Sequence, residues 1–323
     1  MTEIILLIVQ IFFIILDFSF FCCCIIGNSI VIYVISRDRK LKSKSNYHIL
    51  SVALADLLIG VLSIPLGVYA GLTGAPHDFQ LCLVLNSVLL SVFAVSHFSL
   101  LGVSIDRYWA VCYPLTYHVK GSTLTKFMIS CCWILGILFG FLPVFGWNSG
   151  HFENICDLRV IADLNYLLFV CVTLSFTSTL TMIVLYSFIY RAILKQAKKR
   201  EEIVANQNET MKQKQEIRAA HTLAMVVGTF IVLWSPGIIC LFIISFTKNR
   251  ELHIDILEFS TILVHCNAAI DPLIYAYRMK NIREALNRLF VCLRKKENLR
   301  ENSVTTSSDK RSSKTSSIKT TSA

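Results

Sequence analysis

Residues 101–114 read LGVSIDRYWAVCYP. A long, nearly uncharged run leads into this stretch, and then Asp106 and Arg107 arrive side by side. An acid and a base at the end of so apolar a run mark a hydrophobic segment reaching water. The rest of the chain has the same character. Of 323 residues 54% are hydrophobic and 16% charged, and the hydrophobic ones come in blocks. A soluble domain of this size interleaves polar and apolar positions at helical or strand period. These runs are apolar on every side, which a water-facing helix cannot be. A bilayer core of about 30 Å takes about 20 apolar residues per helix. Seven blocks reach that length: 4–35, 47–72, 82–108, 127–147, 164–190, 219–246 and 253–277. The expected fold is an all-α membrane protein, a seven-transmembrane helix bundle.

The formal charge of +10 invites a nucleic-acid reading, but its distribution argues against one. With the C-terminus on the cytoplasmic side, 28 of the 31 Lys and Arg lie in or beside inner segments. Arg159, Lys248 and Arg250 alone lie on the opposite face. This positive-inside asymmetry puts the N-terminus outside and the basic surface against anionic lipid headgroups. The expected division is a short extracellular N-terminus at 1–16 merging into span one, the bundle at 17–277, an amphipathic helix at 278–293, and a tail at 294–323. No basic region precedes the first apolar run, so a signal peptide is poorly supported.

In the amphipathic segment, Ile282, Leu286, Leu289 and Phe290 share one helical face with Lys and Arg opposite. That pattern predicts a helix lying at the membrane interface. Cys292 at its end is a candidate for palmitoylation or a free thiol. The tail holds 13 Ser or Thr in residues 301–323 and cannot bury a core. It reads as a solubilising segment and as a substrate whose phosphates create a docking surface. Most of the twelve cysteines, Cys22, Cys23, Cys24, Cys131 and Cys132 among them, fall inside spans as small hydrophobes. Cys82 and Cys156 face the oxidising side and are expected to pair.

Seven spans, the outer Cys pair and DRY closing span three together resemble a rhodopsin-like (class A) G-protein-coupled receptor. The likeness covers about residues 17–292 and has a marker in nearly every span: Asn28 in GNSIVIYVI, Asp56 in LSVALADLLIGVLSIP, Cys82 and DRY, Trp133, Tyr186, FIVLWSP with Phe230, Trp234 and Pro236, and NAAIDPLIYAY. The resemblance implies a protein that is not an enzyme and that passes an extracellular small-molecule signal to a heterotrimeric G protein at the plasma membrane. A receptor kinase and arrestin would act on the tail. It implies a coupling switch of Asp106, Arg107, Tyr108, Tyr186, Glu216 and Tyr275, in which Glu216 matches the residue that closes an interhelical pair with the arginine. An unpaired guanidinium at the inner boundary is costly, which is the physical reason for such a pair. Breaking it would free Arg107 for a partner's inserted helix.

Asp56 and Asp271 lie near mid-membrane, where ionisable residues are presumptively functional. In the family pattern Asp56, Ser96, Trp234, Asn267 and the residue at 271 surround a polar cavity holding water and sodium, and hard oxygen ligands suit that cation. Asp271, where relatives often carry Asn, adds a second acid. Pro65, Pro236 and Pro272 should kink helices two, six and seven, because each lacks an N–H and clashes with the preceding turn.

The subfamily resemblance is to adenosine receptors. EIRAAHTLAMVVGTFIVLWSP, PVFGWN and IYAYRMKNIREAL follow their patterns, and His265 and Asp17 match a histidine and an acid that pair there. Ligand-binding positions carried over are Asp17, Leu89, Phe93, Leu158, Arg159, Trp234, Ile238, Leu241, Thr261 and His265. Several depart from the pattern. Leu158 and Arg159 stand for an aromatic and a glutamate, Leu241 for the asparagine that clamps the adenine edge, Ile238 for a histidine, and Phe93 for a small hydroxyl residue. Span five lacks the expected proline. The alternative is a class A receptor for a lipid, peptide or other small ligand, of melanocortin or lipid-receptor type. An intramembrane aspartyl protease would need Gly-x-Gly-Asp, which neither Asp56 nor Asp271 has. A secondary transporter would need two similar inverted halves, and no internal repeat is seen.

Overall fold

A computed structural model describes residues 2–202, 207–246 and 251–289, together with 291 and 294. The bundle opens with α1 (Thr2–Arg37). Its second span is α2 (Lys44–Leu58), a π-helical turn at Ile59–Ser63, and α3 (Ile64–Thr73). Then come α4 (Phe79–Cys112) and α5 (Pro114–Phe141). A loop with the single turn α6 (Leu158–Ile161) leads to the fifth span: α7 (Leu164–Tyr166), a π-helical stretch Leu167–Leu174, and α8 (Ser175–Glu202). α9 (Gln207–Phe246) and α10 (Glu251–Arg278) complete the seven. A last helix, α11, runs over 280–289. Among the described residues the sole strand-like feature is a bridge between Asn148 and Ala162.

Local chemistry sets these boundaries. Asp78 accepts from Leu81 N at 2.8 Å and starts α4, and Ser43 accepts from Asn46 N at 3.3 Å and starts α2. Pro114 occupies the first turn of α5, where its missing N–H costs nothing. α5 therefore begins before the apolar block and absorbs much of the segment the sequence reading treats as a loop. It stops at Phe141, short of the expected 147, because Pro143 cannot continue it.

The second and fifth spans are distorted in different ways. Pro65 sits in the first turn of α3, directly after the π-helical turn. The fifth span has no proline, yet Leu167–Leu174 is π-helical. Thr173 Oγ1 donates to Leu168 O at 2.8 Å, five residues back, and Thr177 Oγ1 donates to Thr173 O at 2.8 Å. Hydroxyls competing for main-chain carbonyls loosen the helix here where the sequence offers no ring to do so.

α4 is the central helix. α5 crosses it at backbone contact: a Cβ on Gly136 would stand 2.7 Å from Val95 N, and one on Gly140 would stand 2.5 Å from Ser91 Cα. The two glycines are one turn apart, the small-xxx-small spacing that lets membrane helices approach closely. Trp133 Nε1 donates to Ser51 Oγ at 2.9 Å, and Ser51 and Ser99 hydroxyls are 3.4 Å apart, joining α5, α2 and α4.

α11 does not simply lie at the interface. Ile282, Ala285 and Leu286 are buried in the same core as Tyr275, Val226 and Phe230, while Arg288 donates to Asp38 at 2.6 Å. Phe290 and Cys292 lie outside the described residues.

Cys82 and Cys156 form a disulfide that ties the α5–α7 loop to the start of α4. Cys156 N donates to Gly74 O at 2.9 Å, and Phe79, Phe152 and Ile161 pack around the bond. The bond closes a separation of 74 residues, which in the chain-entropy model stabilises by about 4 kcal/mol. Cys156→Ser is expected to lower surface expression severalfold, and non-reducing peptide mapping of the native chain should recover the linked pair. Two free thiols in that map would contradict it.

Candidate functional site

Three polar or cavity-forming regions stack along α4. Near the disulfide end, a cavity of about 200 Å³ lies between α4, α5, the fifth span, α9 and α10. Phe93, Leu158, Trp234, Ile238, Leu241 and Thr261 line it, as do Leu90, Phe98, Phe139, Gly140, Val170, Leu174 and Val264. No carboxylate or carboxamide side chain is among the described lining residues. Leu89 is not part of the lining. The side chain of Arg159 lies outside the described residues.

His265 and Asp17 stand beside this cavity rather than in its wall. His265 Nδ1 is 2.8 Å from Asp17 Oδ1, and its Nε2 is 3.1 Å from Ser63 Oγ. Both ring nitrogens of a histidine 2% exposed are thus engaged within the protein. The cavity instead reaches toward α5. Phe139 and Gly140 are parts of its wall that sequence matching did not suggest, because the lining depends on how closely α5 crosses α4.

His97 and Ser178 are two more lining residues that sequence reasoning missed. His97 Nε2 and Ser178 Oγ are 2.5 Å apart, linking α4 to α8. The imidazole meets Phe230 edge-on at 4.9 Å and Trp234 at 5.6 Å, while Phe93 meets Trp234 at 5.9 Å. The available sequence signal was a histidine inside an apolar span.

Further along α4, Asp56, Ser96, Asn267 and Asp271 are all buried. Ser96 Oγ donates to Asp56 Oδ1 at 3.1 Å. Asp56 Oδ2, Asn267 Oδ1, both Asp271 oxygens and Asn28 Oδ1 find no donor among the described residues, and Trp234 Nε1 finds no acceptor. Desolvated oxygens left this way cost free energy unless something supplies positive charge or protons.

At the far end, Arg107 is 1% exposed and holds Asp106, with Arg107 Nε 3.1 Å from Oδ2. Its Nη2 also donates to Tyr117 Oη at 3.2 Å. Tyr117 Oη donates to Asp106 Oδ2 at 3.3 Å and Thr125 Oγ1 donates to Oδ1 at 3.4 Å. His48 Nε2 lies 3.6 Å from Asp106 Oδ1. Tyr117, Thr125 and His48 were not anticipated. The first two lie on the α5 extension, whose helical course the composition alone does not reveal.

Tyr108 and Tyr186 pack with Val111, Ile189 and Ile193, and Tyr275 is fully buried. Glu216 lies on α9, but its side chain is outside the described residues. The arginine is held within its own helix and by α5, while Tyr186 of α8 and Tyr275 of α10 share one core cluster.

Residues 27–275 match the model of the 7 transmembrane receptor (rhodopsin family). Similar proteins include Adenosine receptor A2b of Gallus gallus, 30% identical over 295 residues that cover 81% of this chain and 83% of that protein. The human Adenosine receptor A2b is 29% identical over 81% of this chain and 85% of its own length. The human Adenosine receptor A2a is 29% identical over 82% of this chain and 68% of its own.

Proposed function

Because the chain belongs to the rhodopsin family of seven-transmembrane receptors, we propose that it carries an extracellular small-molecule signal from the cavity beside Trp234 to a G protein docking at Arg107. It is an adenosine-receptor-like G-protein-coupled receptor and not an enzyme, a multi-pass protein of the plasma membrane. The single observation that supports this route is the continuity of α4. One helix carries Phe93 in the cavity wall, Ser96 on the buried acid, and Arg107 at the opposite end.

We place the Arg107 end in the cytoplasm and the N-terminus outside, on the distribution of Lys and Arg. Glu216 is our candidate for a second partner of Arg107, holding α9 inward. α9 carries Pro236 inside it and α10 carries Pro272, and the main-chain hydrogen bond that each proline cannot make gives its helix a weak point about which the inner half could move. Outward movement of α9 would release Arg107 toward Tyr186 and Tyr275 and open a site for the G protein. Glu216→Ala is therefore expected to raise ligand-independent signalling by about 5-fold or more, the low end of measured intersite couplings. G-protein dissociation at matched surface expression checks it, and unchanged basal activity argues against the pair.

The residues around Asp56 fit a sodium ion. Asp56, Ser96, Asn267 and Asp271 would hold it, and several of their buried oxygens lack a donor. The bound charge would offset the two carboxylates and favour the resting arrangement. Purified receptor should melt about 2–4 °C higher in 150 mM NaCl than in a sodium-free choline chloride buffer of the same ionic strength. Asp56→Asn should lose that difference, and an equal shift in both proteins would remove the ion from the account.

The Ser/Thr tail at 301–323 lies outside the described residues. We assign it to a receptor kinase and, once phosphorylated, to arrestin. The basic inner surface would face anionic membrane lipids rather than nucleic acid.

A further inference from the structure

We propose that His48 is a positioning residue for the coupling switch: it holds the second oxygen of Asp106, and that hold tightens when the imidazole takes up a proton. This rests on the receptor reading above. The two carboxylate oxygens have different partners. Oδ2 takes Arg107 Nε at 3.1 Å and Tyr117 Oη at 3.3 Å. Oδ1 has the Thr125 hydroxyl at 3.4 Å, long for such a bond, and faces His48 Nε2 at 3.6 Å. That nitrogen is buried and makes no hydrogen bond among the described residues. A carboxylate gripped firmly at one oxygen alone can turn about its bond to the chain and carry that oxygen off the arginine. His48 on Oδ1 opposes the turn. Because it addresses a different oxygen, it does not compete with Arg107.

The ring is held in place by what surrounds it. Ser43 caps α2 before it, and one turn after it Ser51 accepts from Trp133 Nε1 of α5 at 2.9 Å. On α4, Gly102 lies one turn before Asp106 and leaves room for the imidazole: a Cβ there would stand 3.8 Å from His48 Cε1 and Nδ1. The ionisable groups around the ring are Asp106 and Arg107 on α4, and Tyr117 and Cys132 on α5. Lys44, one turn earlier on α2, donates to Tyr117 O at 2.9 Å. Asp106 is the single acid of this set, and Arg107 and Lys44 work against a further positive charge. A neutral ring carries one N–H, whereas a protonated ring carries one on each nitrogen. The protonated ring therefore turns the contact to Oδ1 into a charge-assisted one in a dry environment. Acid on the inner side should thus fasten Asp106, and with it Arg107, in the resting arrangement.

The test is basal nucleotide exchange on added heterotrimer by the purified full chain in lipid nanodiscs, at pH values from about 6 to 8, within the range where histidine changes charge. Each variant is expressed as a ratio to wild type at the same pH, so that the heterotrimer's own response and that of shared acids cancel. His48→Leu is expected to stand within about twofold of wild type at pH 8 and about 5-fold above it at pH 6, the low end of intersite couplings. His48→Gln keeps an N–H donor but cannot take up a proton. It should lie below His48→Leu at every pH, and its ratio should also rise toward pH 6.

Ratios that stay constant across the pH range would overturn the proposal, and a lowered melting temperature beside them would mark a merely structural histidine. Ratios that fall toward pH 6 would overturn it as well. If His48→Leu does not fold, the pH course of His48→Gln against wild type decides in the same way. If wild type, Glu216→Ala and both His48 variants leave exchange at the level of empty nanodiscs, the receptor reading itself fails and this inference goes with it.

Discussion

Gly140→Leu is expected to abolish delivery of the protein to the cell surface. A Cβ at this position would meet the Ser91 hydroxyl and, almost as closely, the backbone of Ser91 on the central helix, so rotating that side chain would not relieve the clash. Overpacking a core usually costs about 1–3 kcal/mol because neighbouring side chains can rotate away. Here α4 and α5 must separate as bodies, which also strains the Trp133–Ser51 hydrogen bond and removes a wall of the ligand cavity. In a bilayer no hydrophobic force drives the helices back together. Gly140→Ala should fall between, with partial surface expression and a lower melting temperature. Gly67 has open space around its Cβ position, so Gly67→Leu serves as the control and should reach the surface. Normal surface staining of Gly140→Leu would show that the crossing is looser than described.

The spans were legible because a bilayer demands blocks of apolar residues, and blocks survive without knowledge of tertiary contacts. The Cys82–Cys156 bond was legible for a similar reason: two cysteines on one face of the membrane have few other options. The Gly136–Gly140 crossing was not read, because glycine in a span is silent until one knows which helix it faces. Nor was the π-helical stretch at Leu167–Leu174, which arises from hydroxyls reaching back along the helix rather than from a proline.

The sites divide in the same way. Asp56, Asp271 and Arg107 stand out as charges in apolar runs, and burial makes any such charge conspicuous. His48, Tyr117 and Thr125, which surround Asp106, are ordinary residues in sequence; only the fold of α2 and α5 brings them to it. His97 and Ser178 were overlooked because neither matches a motif, although both lie in the cavity wall. The pairing of His265 with Asp17 was legible in the sequence, whereas the second contact of that ring, to Ser63, was not.

Adenosine is expected to act on this receptor at least about a hundred-fold more weakly than on a purine-reading pocket. The adenine edge needs donors and acceptors aimed at it. The described lining has no side-chain amide or acid, and apart from Trp234 Nε1 and His97 Nδ1, which find no partner among the described residues, several of its polar groups are already committed. Tyr166 Oη donates to Phe139 O at 3.2 Å, and Ser178 is shared between His97 and Leu174 O. Leu241, Ile238 and Leu158 fill the wall with hydrocarbon instead. A polar edge carried into such a cavity leaves groups unpaired at about 1–3 kcal/mol each, and two of them account for the loss. Apolar contact should drive binding here, at about 25 cal/mol for each Å² removed from water.

The central claim is an adenosine-like transduction half joined to a cavity that does not read purines. Its most direct test is a concentration–response curve for adenosine in cells expressing the wild-type chain, read by G-protein dissociation, with Glu216→Ala as the proof that the assay couples. The expected result is a raised basal signal in Glu216→Ala and no response of the wild type to adenosine below micromolar concentrations. Robust wild-type signalling at sub-micromolar adenosine, lost in His265→Ala, would contradict it.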